Sequence, residues 1–147
     1  MKNRNNLIFV VSAPGGHFSV AEELFNGSKY NFKFILTIAK GALKTRPDCL
    51  YVTESNRDFR FFIQFYQALK LILEYKPSLI VSTGAGVAIS FFLCAKLFNI
   101  PSVFIETASR VRTLSLSGKI SYFLASRFYV RNKHLAQKLN RAIQLEK

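Results

Sequence analysis

The sequence predicts an α/β protein: a Rossmann-like parallel sheet with helices on both faces. Short apolar segments rich in β-branched and aromatic residues alternate with segments of helical periodicity along the 147 residues. Glycine-rich or polar clusters follow several apolar segments, where a strand must turn into a helix. A chain of this length is expected to form a single domain, residues 1–147. Half of its residues are hydrophobic, which is enough to build a core.

The strands are predicted from apolar runs that end at turn residues. The first run, for example, stops at Pro14-Gly15-Gly16. The predicted strands are Leu7–Ser12, Phe32–Ile38, Cys49–Thr53, Leu79–Ser82, Ser102–Glu106 and Phe128–Val130. Because helical segments separate most of them, we expect parallel pairing through right-handed crossovers.

The first helix is predicted over Phe18 to Phe25, with Ser19 as its N-cap and Asn26-Gly27 closing it. Glu22 and Glu23 would then lie in its first turn, where the helix dipole favours acids. The other predicted helices are Asp58–Tyr75, Val87–Phe98, Leu116–Leu124 and Asn132–Ala142.

The segment Asp58–Tyr75 is apolar around most of its circumference. A narrow polar stripe interrupts it, formed by Arg60, Gln64, Gln67, Lys70 and Glu74. Two interpretations are open. The helix is either packed deeply in the core, or it packs on the sheet with one side and contacts a partner or lipid with the other.

Two segments resemble a signal peptide or a membrane-spanning helix in their composition. The apolar run Leu7–Val11 is too short for the core of a signal peptide, so we expect a strand there. Residues 78–95 carry no charge and reach the length of a membrane-spanning helix. Lys76-Pro77 precedes them, however, and Ser82–Gly86 has the chemistry of a turn. A strand, a turn and a helix are therefore expected.

The charge is strongly positive. Lysine and arginine number 21 against 8 acids, which gives a formal net charge of +13. From Thr107 to the last residue given, the sequence has nine basic residues and one acidic residue, Glu146. They are Arg110, Arg112, Lys119, Arg127, Arg131, Lys133, Lys138, Arg141 and Lys147. Such a surplus is either a solvated cationic surface or one that faces membrane or other phosphate groups. Nucleic acid is not expected as a partner, because no RNA-binding consensus, zinc module or helix-turn-helix is present.

The two cysteines, Cys49 and Cys94, stand alone in apolar runs. Their spacing matches neither a metal site nor a disulfide framework, so we expect small buried hydrophobic side chains in a reducing compartment.

Three polar clusters follow predicted strands: residues 15–17, 82–86 and 106–110. In parallel sheets ligands bind at the carboxyl ends of strands, so we expect these clusters to converge on one edge. Neither a phosphate-binding GxxxxGK[ST] loop nor a dinucleotide GxGxxG fingerprint is present, and no cofactor is predicted.

Residues from these clusters are candidates for chemistry. His17 is either a general base or a capping or packing histidine. Glu106 has two possible roles. In a functional role it would orient a base or bind sugar hydroxyls, and in a structural role it would form an ion pair with Arg110 or Arg112. The glycines Gly15 and Gly16 allow backbone N–H groups to approach an anion at the start of a helix.

The stretches PGGHFSVAEEL (14–24) and KPSLIVSTGAGVAISFFLCAKLFNIPSVFIETASRVRTLSLSGKISYFLASRFYV (76–130) carry a resemblance. With the closing helix, they resemble the acceptor-side, membrane-associated subunit of the two-chain N-acetylglucosaminyltransferase of dolichol-linked glycan synthesis. They also resemble its bacterial capsule and exopolysaccharide counterparts. The block SVFIETASRVRTLSLSGK is the most specific part.

The resemblance implies one lobe, the N-terminal one, of a two-lobed GT-B glycosyltransferase. A separate chain would bind the nucleotide sugar, and this chain would bring a lipid-linked acceptor to the cytoplasmic membrane face. His17 and Glu106 would be catalytic. Acceptor-binding residues would be Gly15, Gly16, Thr83, Gly84, Arg110 and Arg112. The N-terminal membrane helix of the eukaryotic relatives is not found, so attachment is expected to be peripheral. A non-catalytic adaptor that recruits or stimulates a transferase is the alternative.

Overall fold

The computed structural model describes residues 5–56 and 58–145. Its strands are β1 (Asn5–Ser12), β2 (Asn31–Ile38), β3 (Cys49–Thr53), β4 (Pro77–Ser82), β5 (Ser102–Glu106), β6 (Arg127–Val130) and β7 (Ala142–Gln144). Its helices are α1 (Gly16–Phe25), α2 (Arg60–Tyr75), α3 (Val87–Leu97), α4 (Leu116–Leu124) and α5 (Lys133–Lys138). The alternation of strand and helix agrees with the predicted α/β class.

The strands form a seven-stranded sheet in the order β3-β2-β1-β4-β5-β6-β7, and every neighbouring pair is parallel. The chain builds outward from β1 to β3 on one side and from β4 to β7 on the other. The direction of winding therefore reverses between β1 and β4. In such sheets the loops diverge at this point and leave a crevice at the carboxyl ends of the strands.

Helices cover the sheet on both faces, as predicted. On one face α1 packs Phe18 and Ala21 against Val10, Phe34 and Leu36. On the other face α2, α3, α4 and α5 enclose the larger core, in which α3 contributes the most buried side chains. Because α3 is buried nearly all round, its sequence is apolar on every side.

The uncharged segment 78–95 forms β4, a turn and α3, as expected. No helix among the described residues combines the length and the hydrophobicity needed to cross a bilayer. Cys49 and Cys94 are free and buried, and burial raises the pKa of each thiol to about 11.

The ends of two helices differ from the prediction. Helix α1 begins at Gly16, so Gly15 is its N-cap, and Ser19 does not cap it. The Ser19 hydroxyl instead donates back to the Gly15 carbonyl (3.3 Å), and neither Glu22 nor Glu23 lies in the first turn. The closing helix is also shorter than predicted, because residues 142–144 form the edge strand β7.

Helix α2 is not packed deeply in the core. It buries Gln64, Ala68 and Ile72 and leaves an outer row of large apolar side chains in solvent. The exposed row consists of Phe59, which precedes the helix, and of Phe62, Ile63, Tyr66 and Leu73. The second interpretation, a helix with one side free for another contact, is the one that agrees with this orientation.

Two glutamines of the polar stripe hold α2 in this orientation. The Gln64 amide donates to the Thr53 carbonyl (2.8 Å) and accepts from the buried Ser90 hydroxyl of α3 (2.9 Å). The Gln67 amide accepts from Thr53 N–H (2.7 Å) and donates to its hydroxyl (3.1 Å). Part of the polar stripe therefore faces inward, where it joins α2 to the end of β3 and to α3.

Replacement of Gln64 by leucine keeps a similar volume but leaves the buried Ser90 hydroxyl without its acceptor. We expect a loss of about 1–3 kcal/mol in the free energy of unfolding, measured by urea denaturation. Lys70→Leu, on the exposed side of the same helix, is the matched control and should change it by less than about 0.5 kcal/mol. Equal stability of Gln64→Leu and wild type would contradict the anchoring role.

Candidate functional site

A cleft of about 1020 Å³ opens beside the point where the sheet reverses its winding. Its walls come from the segments that follow β1, β3, β4 and β5. They include Gly16, His17, Asn56, Gly86 and Arg110. The three polar clusters therefore all reach one edge of the sheet, where the carboxyl ends of the strands lie, as the sequence predicts.

His17 lies in the first turn of α1 and lines this cleft half-buried. Its Nδ1 atom is 3.1 Å from the Thr83 carbonyl oxygen, at the end of β4. A carbonyl oxygen only accepts hydrogen bonds, so Nδ1 carries the proton in this contact. In the neutral imidazole, Nε2 is then the unprotonated nitrogen. The fold thus selects the tautomer that can accept a proton through Nε2.

The His17 ring has room because residue 84 is glycine. A Cβ atom at Gly84 would lie 2.5 Å from His17 Nδ1, and Gly84 has φ +127°, a conformation that side chains rarely adopt. Thr83 adds a second link, because its hydroxyl donates to the His17 carbonyl (2.7 Å). The predicted acceptor-binding residues Thr83 and Gly84 are both buried, and the contacts they make here position His17.

Glu106 is 1% exposed and ends β5. Its carboxylate accepts from the N–H (3.1 Å) and hydroxyl (3.0 Å) of Ser115, and from Thr107 N–H (3.2 Å). Among the described residues no cation lies within ion-pair distance of it, so neither Arg110 nor Arg112 is its partner. The carboxylate sits at the N-terminus of α4, where the helix dipole favours a negative charge.

Ser115 is the N-cap of α4, and its hydroxyl accepts from Gly118 N–H (2.9 Å). The space for the carboxylate depends on Gly118, since a Cβ atom there would lie 2.0 Å from Glu106 Oε2. Glu106 thereby fixes the position of α4 and of Ser115 and Thr107, which line the cleft.

The remaining predicted residues divide between the cleft and its surroundings. Gly16 and Arg110 line the cleft. Gly15, with φ +93°, lines an adjoining cavity of about 340 Å³ with Pro14 and Thr37. Arg112 is exposed on the same loop but is not among the described residues that line the cleft.

Part of the site is not predicted from the sequence. Ser55 and Asn56 line the cleft after β3, although the rule that ligands meet the ends of parallel strands applies to them as well. An apolar wall, formed by Val20, Ile89, Leu116 and Ile120, is a second unpredicted part. From the sequence alone these apolar side chains would be assigned to the hydrophobic core. Only the tertiary structure shows that they border the cleft.

The basic residues after Thr107 are dispersed. Arg131 lies 3.8 Å from Glu23 of α1, and Arg141 donates to the carbonyls of Tyr122 (3.0 Å) and Ala125 (3.2 Å). Arg110 lines the cleft, Lys119 lies exposed on α4, and Lys147 is outside the described residues. Arg131 and Arg141 thus contact other parts of the protein, whereas Arg110 borders the cleft.

The cleft is lined by the His17 imidazole, by Arg110, by the first turn of α1, whose N–H groups have no partner within the helix, and by an apolar wall. This set suits a ligand with an anionic group, hydroxyls and an apolar portion. Within residues 5–56 and 58–145 no three His, Cys, Asp or Glu side chains cluster as metal ligands would.

The family described as "Oligosaccharide biosynthesis protein Alg14 like" matches this chain over residues 49–146, which is most of its length. The chain belongs to the Alg14-like family. The match includes the segments that carry Gly84, Glu106 and Arg110, whereas His17 lies before it.

Curated relatives of this Alg14-like chain are named "UDP-N-acetylglucosamine transferase subunit ALG14". The mouse protein is 32% identical over 93 residues, covering 59% of this chain and 43% of the mouse protein. The Yarrowia lipolytica protein is 33% identical over 86 residues, covering 54% and 40%. The chain thus spans about two-fifths of the length of the curated relatives it matches.

Solved structures show the same fold at low sequence identity. UDP-GlcNAc 2-epimerase from Methanocaldococcus jannaschii has a TM-score of 0.69 at 11% identity, covering 94% of this chain and 45% of that one. MurG from Acinetobacter baumannii has a TM-score of 0.65 at 15% identity, covering 86% and 41%. The Alg14-like chain therefore has the Rossmann-like α/β fold found in GT-B glycosyltransferases and epimerases, as predicted.

The substitution Gly84→Ala tests the placement of His17. We expect it to lower the free energy of unfolding by about 1–3 kcal/mol, through backbone strain and displacement of the ring. Gly86→Ala is the matched control, because Gly86 has open space around it and ordinary φ. Nitrogen NMR of the imidazoles reports the tautomer, with the exposed His134 as internal reference. An unchanged His17 spectrum in Gly84→Ala would contradict this placement.

Replacement of Glu106 by alanine removes the acceptor of two backbone N–H groups and one hydroxyl. We expect a loss of about 2–3 kcal/mol in the free energy of unfolding, measured by urea denaturation. Glu74→Ala, an exposed glutamate on α2, is the control and should be nearly neutral. Unchanged stability of Glu106→Ala would contradict this positioning role.

Proposed function

We propose that this chain is the acceptor-binding subunit of a two-component glycosyltransferase in polysaccharide biosynthesis, with capsule or exopolysaccharide as the product. It holds a lipid-pyrophosphate-linked sugar, and a separate donor-binding chain supplies the nucleotide sugar. The observation that carries the proposal is the His17 imidazole, held in the cleft with its proton on Nδ1. The names of the curated relatives support the two-chain arrangement.

In the proposed reaction a hydroxyl oxygen of the acceptor sugar attacks the anomeric carbon of the donor. The hydroxyl proton passes to His17 Nε2, directly or through a water. The bond between the anomeric carbon and the diphosphate oxygen breaks, and the nucleoside diphosphate leaves with the electron pair. Attack from the face opposite the leaving group inverts the configuration at the anomeric carbon.

The other cleft residues have separate roles in this scheme. Gly16, through its backbone N–H, and the side chain of Arg110 hold the acceptor's phosphates inside the cleft. Gly15 and Arg112 lie beside the cleft and contact phosphate groups that extend past it. Thr83 and Gly84 position His17 through the contacts described above. Glu106 fixes the loop and helix that carry Thr107 and Ser115. The apolar wall accommodates the part of the acceptor nearest its lipid.

The chain is proposed to work at the inner face of the cell membrane as a peripheral protein, since its acceptor is anchored in the bilayer. The formal net charge of +13 supports this location, because each basic residue near an anionic surface contributes roughly 1 kcal/mol of attraction.

A non-catalytic adaptor is the second candidate. The observation that favours it is the complete engagement of Glu106, which leaves one of the two predicted catalytic groups occupied by Ser115 and Thr107. In that case the partner chain contains all the reacting groups, and this chain recruits it or its acceptor.

The test is sugar transfer by the chain reconstituted with its donor-binding partner. His17→Ala should lower the turnover number by roughly 10²–10⁴-fold, which is the usual contribution of a placed general base. His134→Ala, on the exposed face of α5, should have no effect. Turnover within a few-fold of wild type in His17→Ala, with acceptor bound only by the isolated partner, would favour the adaptor instead.

A further inference from the structure

The outer side of α2 is an exposed apolar surface. It consists of Phe59, Phe62, Ile63, Tyr66 and Leu73, here called the α2 outer face. Phe59, Phe62, Tyr66 and Leu73 follow one another at intervals of three, four and seven, and Ile63 is four residues from Phe59 and three from Tyr66, so all five lie along one side of the helix. Phe62 is 73% exposed and Tyr66 is 66% exposed. An exposed row of large apolar side chains of this kind marks an interaction site.

The orientation of α2 is built into the fold. Gln64 and Gln67 bind Thr53 and Ser90 on the inner side, so the buried hydrogen bonds set which side turns outward. A rotation that hid the aromatic rings would break these bonds and bring the exposed Lys70 toward the core. The aromatic side is therefore presented to the surroundings by a specific polar contact.

Each of the helices α2, α3 and α4 carries an exposed aromatic or aliphatic side chain beside a lysine. Lys70 lies between Tyr66 and Leu73 on α2 itself. On α3 the exposed pair is Lys96 and Leu97. On α4 it is Lys119 and Phe123, and Phe123 borders the same groove as Lys96.

The free charge on these helices is positive. Within α2, α3 and α4 the basic residues are Arg60, Lys70, Lys96 and Lys119, and Glu74 is the one acid. Arg60 is already paired with Asp58 (2.8 Å). Lysines beside exposed rings are typical of surfaces that meet an anionic lipid interface, whereas the centres of protein interfaces are depleted in lysine.

We propose that the α2 outer face docks this chain on the interface of an anionic lipid bilayer, with its rings in the headgroup region and Lys70, Lys96 and Lys119 on lipid phosphates. The face begins at Phe59, three residues after Asn56, which lines the cleft. Resting on the proposed function, this places the cleft beside the membrane surface, where a lipid-linked acceptor arrives.

Fluorescence provides a direct readout, because the chain contains no tryptophan. In the full chain, Phe62→Trp places a single tryptophan on the α2 outer face, and it is excited at a wavelength that tyrosine does not absorb. Tyr30→Trp, at a 69% exposed site between α1 and β2, is the matched control. With vesicles of equal parts phosphatidylglycerol and phosphatidylcholine, we expect a blue shift for Phe62→Trp only. An unshifted spectrum for Phe62→Trp would overturn the proposal.

Loss of binding is measured by sedimentation with the same vesicles. The double variant Phe62→Ser/Tyr66→Ser should bind about tenfold more weakly or worse, and Tyr30→Ser should bind as wild type does. Lys70→Ala should weaken binding about fivefold on anionic vesicles and much less on pure phosphatidylcholine. Circular dichroism confirms that the exposed-site variants fold.

The outcomes separate this proposal from the proposed function. Vesicles without acceptor test docking alone, and His17→Ala should bind them as wild type does even where transfer is lost. If Phe62→Ser/Tyr66→Ser instead keeps vesicle binding but loses association with the donor-binding chain or with a second copy, the face is a protein interface and the proposal is wrong.

Discussion

The structure of the cleft depends on the contact between the His17 ring and the carbonyl of Thr83. It joins the start of α1 to the end of β4, which are the two segments that diverge where the sheet reverses its winding. The absence of a side chain at Gly84 makes the contact possible, and φ +127° at that residue turns the chain toward α3. One glycine thus sets both the turn and the position and tautomer of the imidazole.

The opposite wall is organised around a second contact of the same kind. Glu106 reaches from the end of β5 to the N-terminus of α4 and is enclosed because Gly118 has no side chain. Each wall therefore pairs a polar side chain at a strand or helix end with a glycine that makes room for it. The imidazole of His17 remains available to a ligand, whereas the carboxylate of Glu106 accepts hydrogen bonds from the protein's own N–H and O–H groups. This asymmetry explains why the two candidate catalytic residues have different roles in the proposed mechanism.

Much of the fold follows from the sequence, because the apolar segments of β1 to β6 and the helices between them have strong and regular patterns. Parallel pairing and the convergence of the polar clusters follow from the rules of parallel sheets, whereas the strand order is known from the structure alone. The orientation of α2 does not follow, because its glutamines are satisfied only by Thr53 and Ser90, which are distant in sequence. Strand β7 is not predicted either, because it has only three residues and forms by pairing with β6. The partners of Glu106, Thr107 and Ser115, are close in sequence but are set by the turn that leads from β5 into α4, and the sequence pattern pointed to Arg110 or Arg112 instead.

The central claim is that an acceptor binds in this chain's own cleft beside His17. An NMR titration of the isolated chain with a short-chain polyprenyl-pyrophosphoryl sugar tests it most directly. We expect saturable shifts of the His17 imidazole signals and none for His134, which is exposed on α5. A titration in which His17 stays unchanged until the donor-binding chain is added, or in which both histidines shift alike, would contradict this claim.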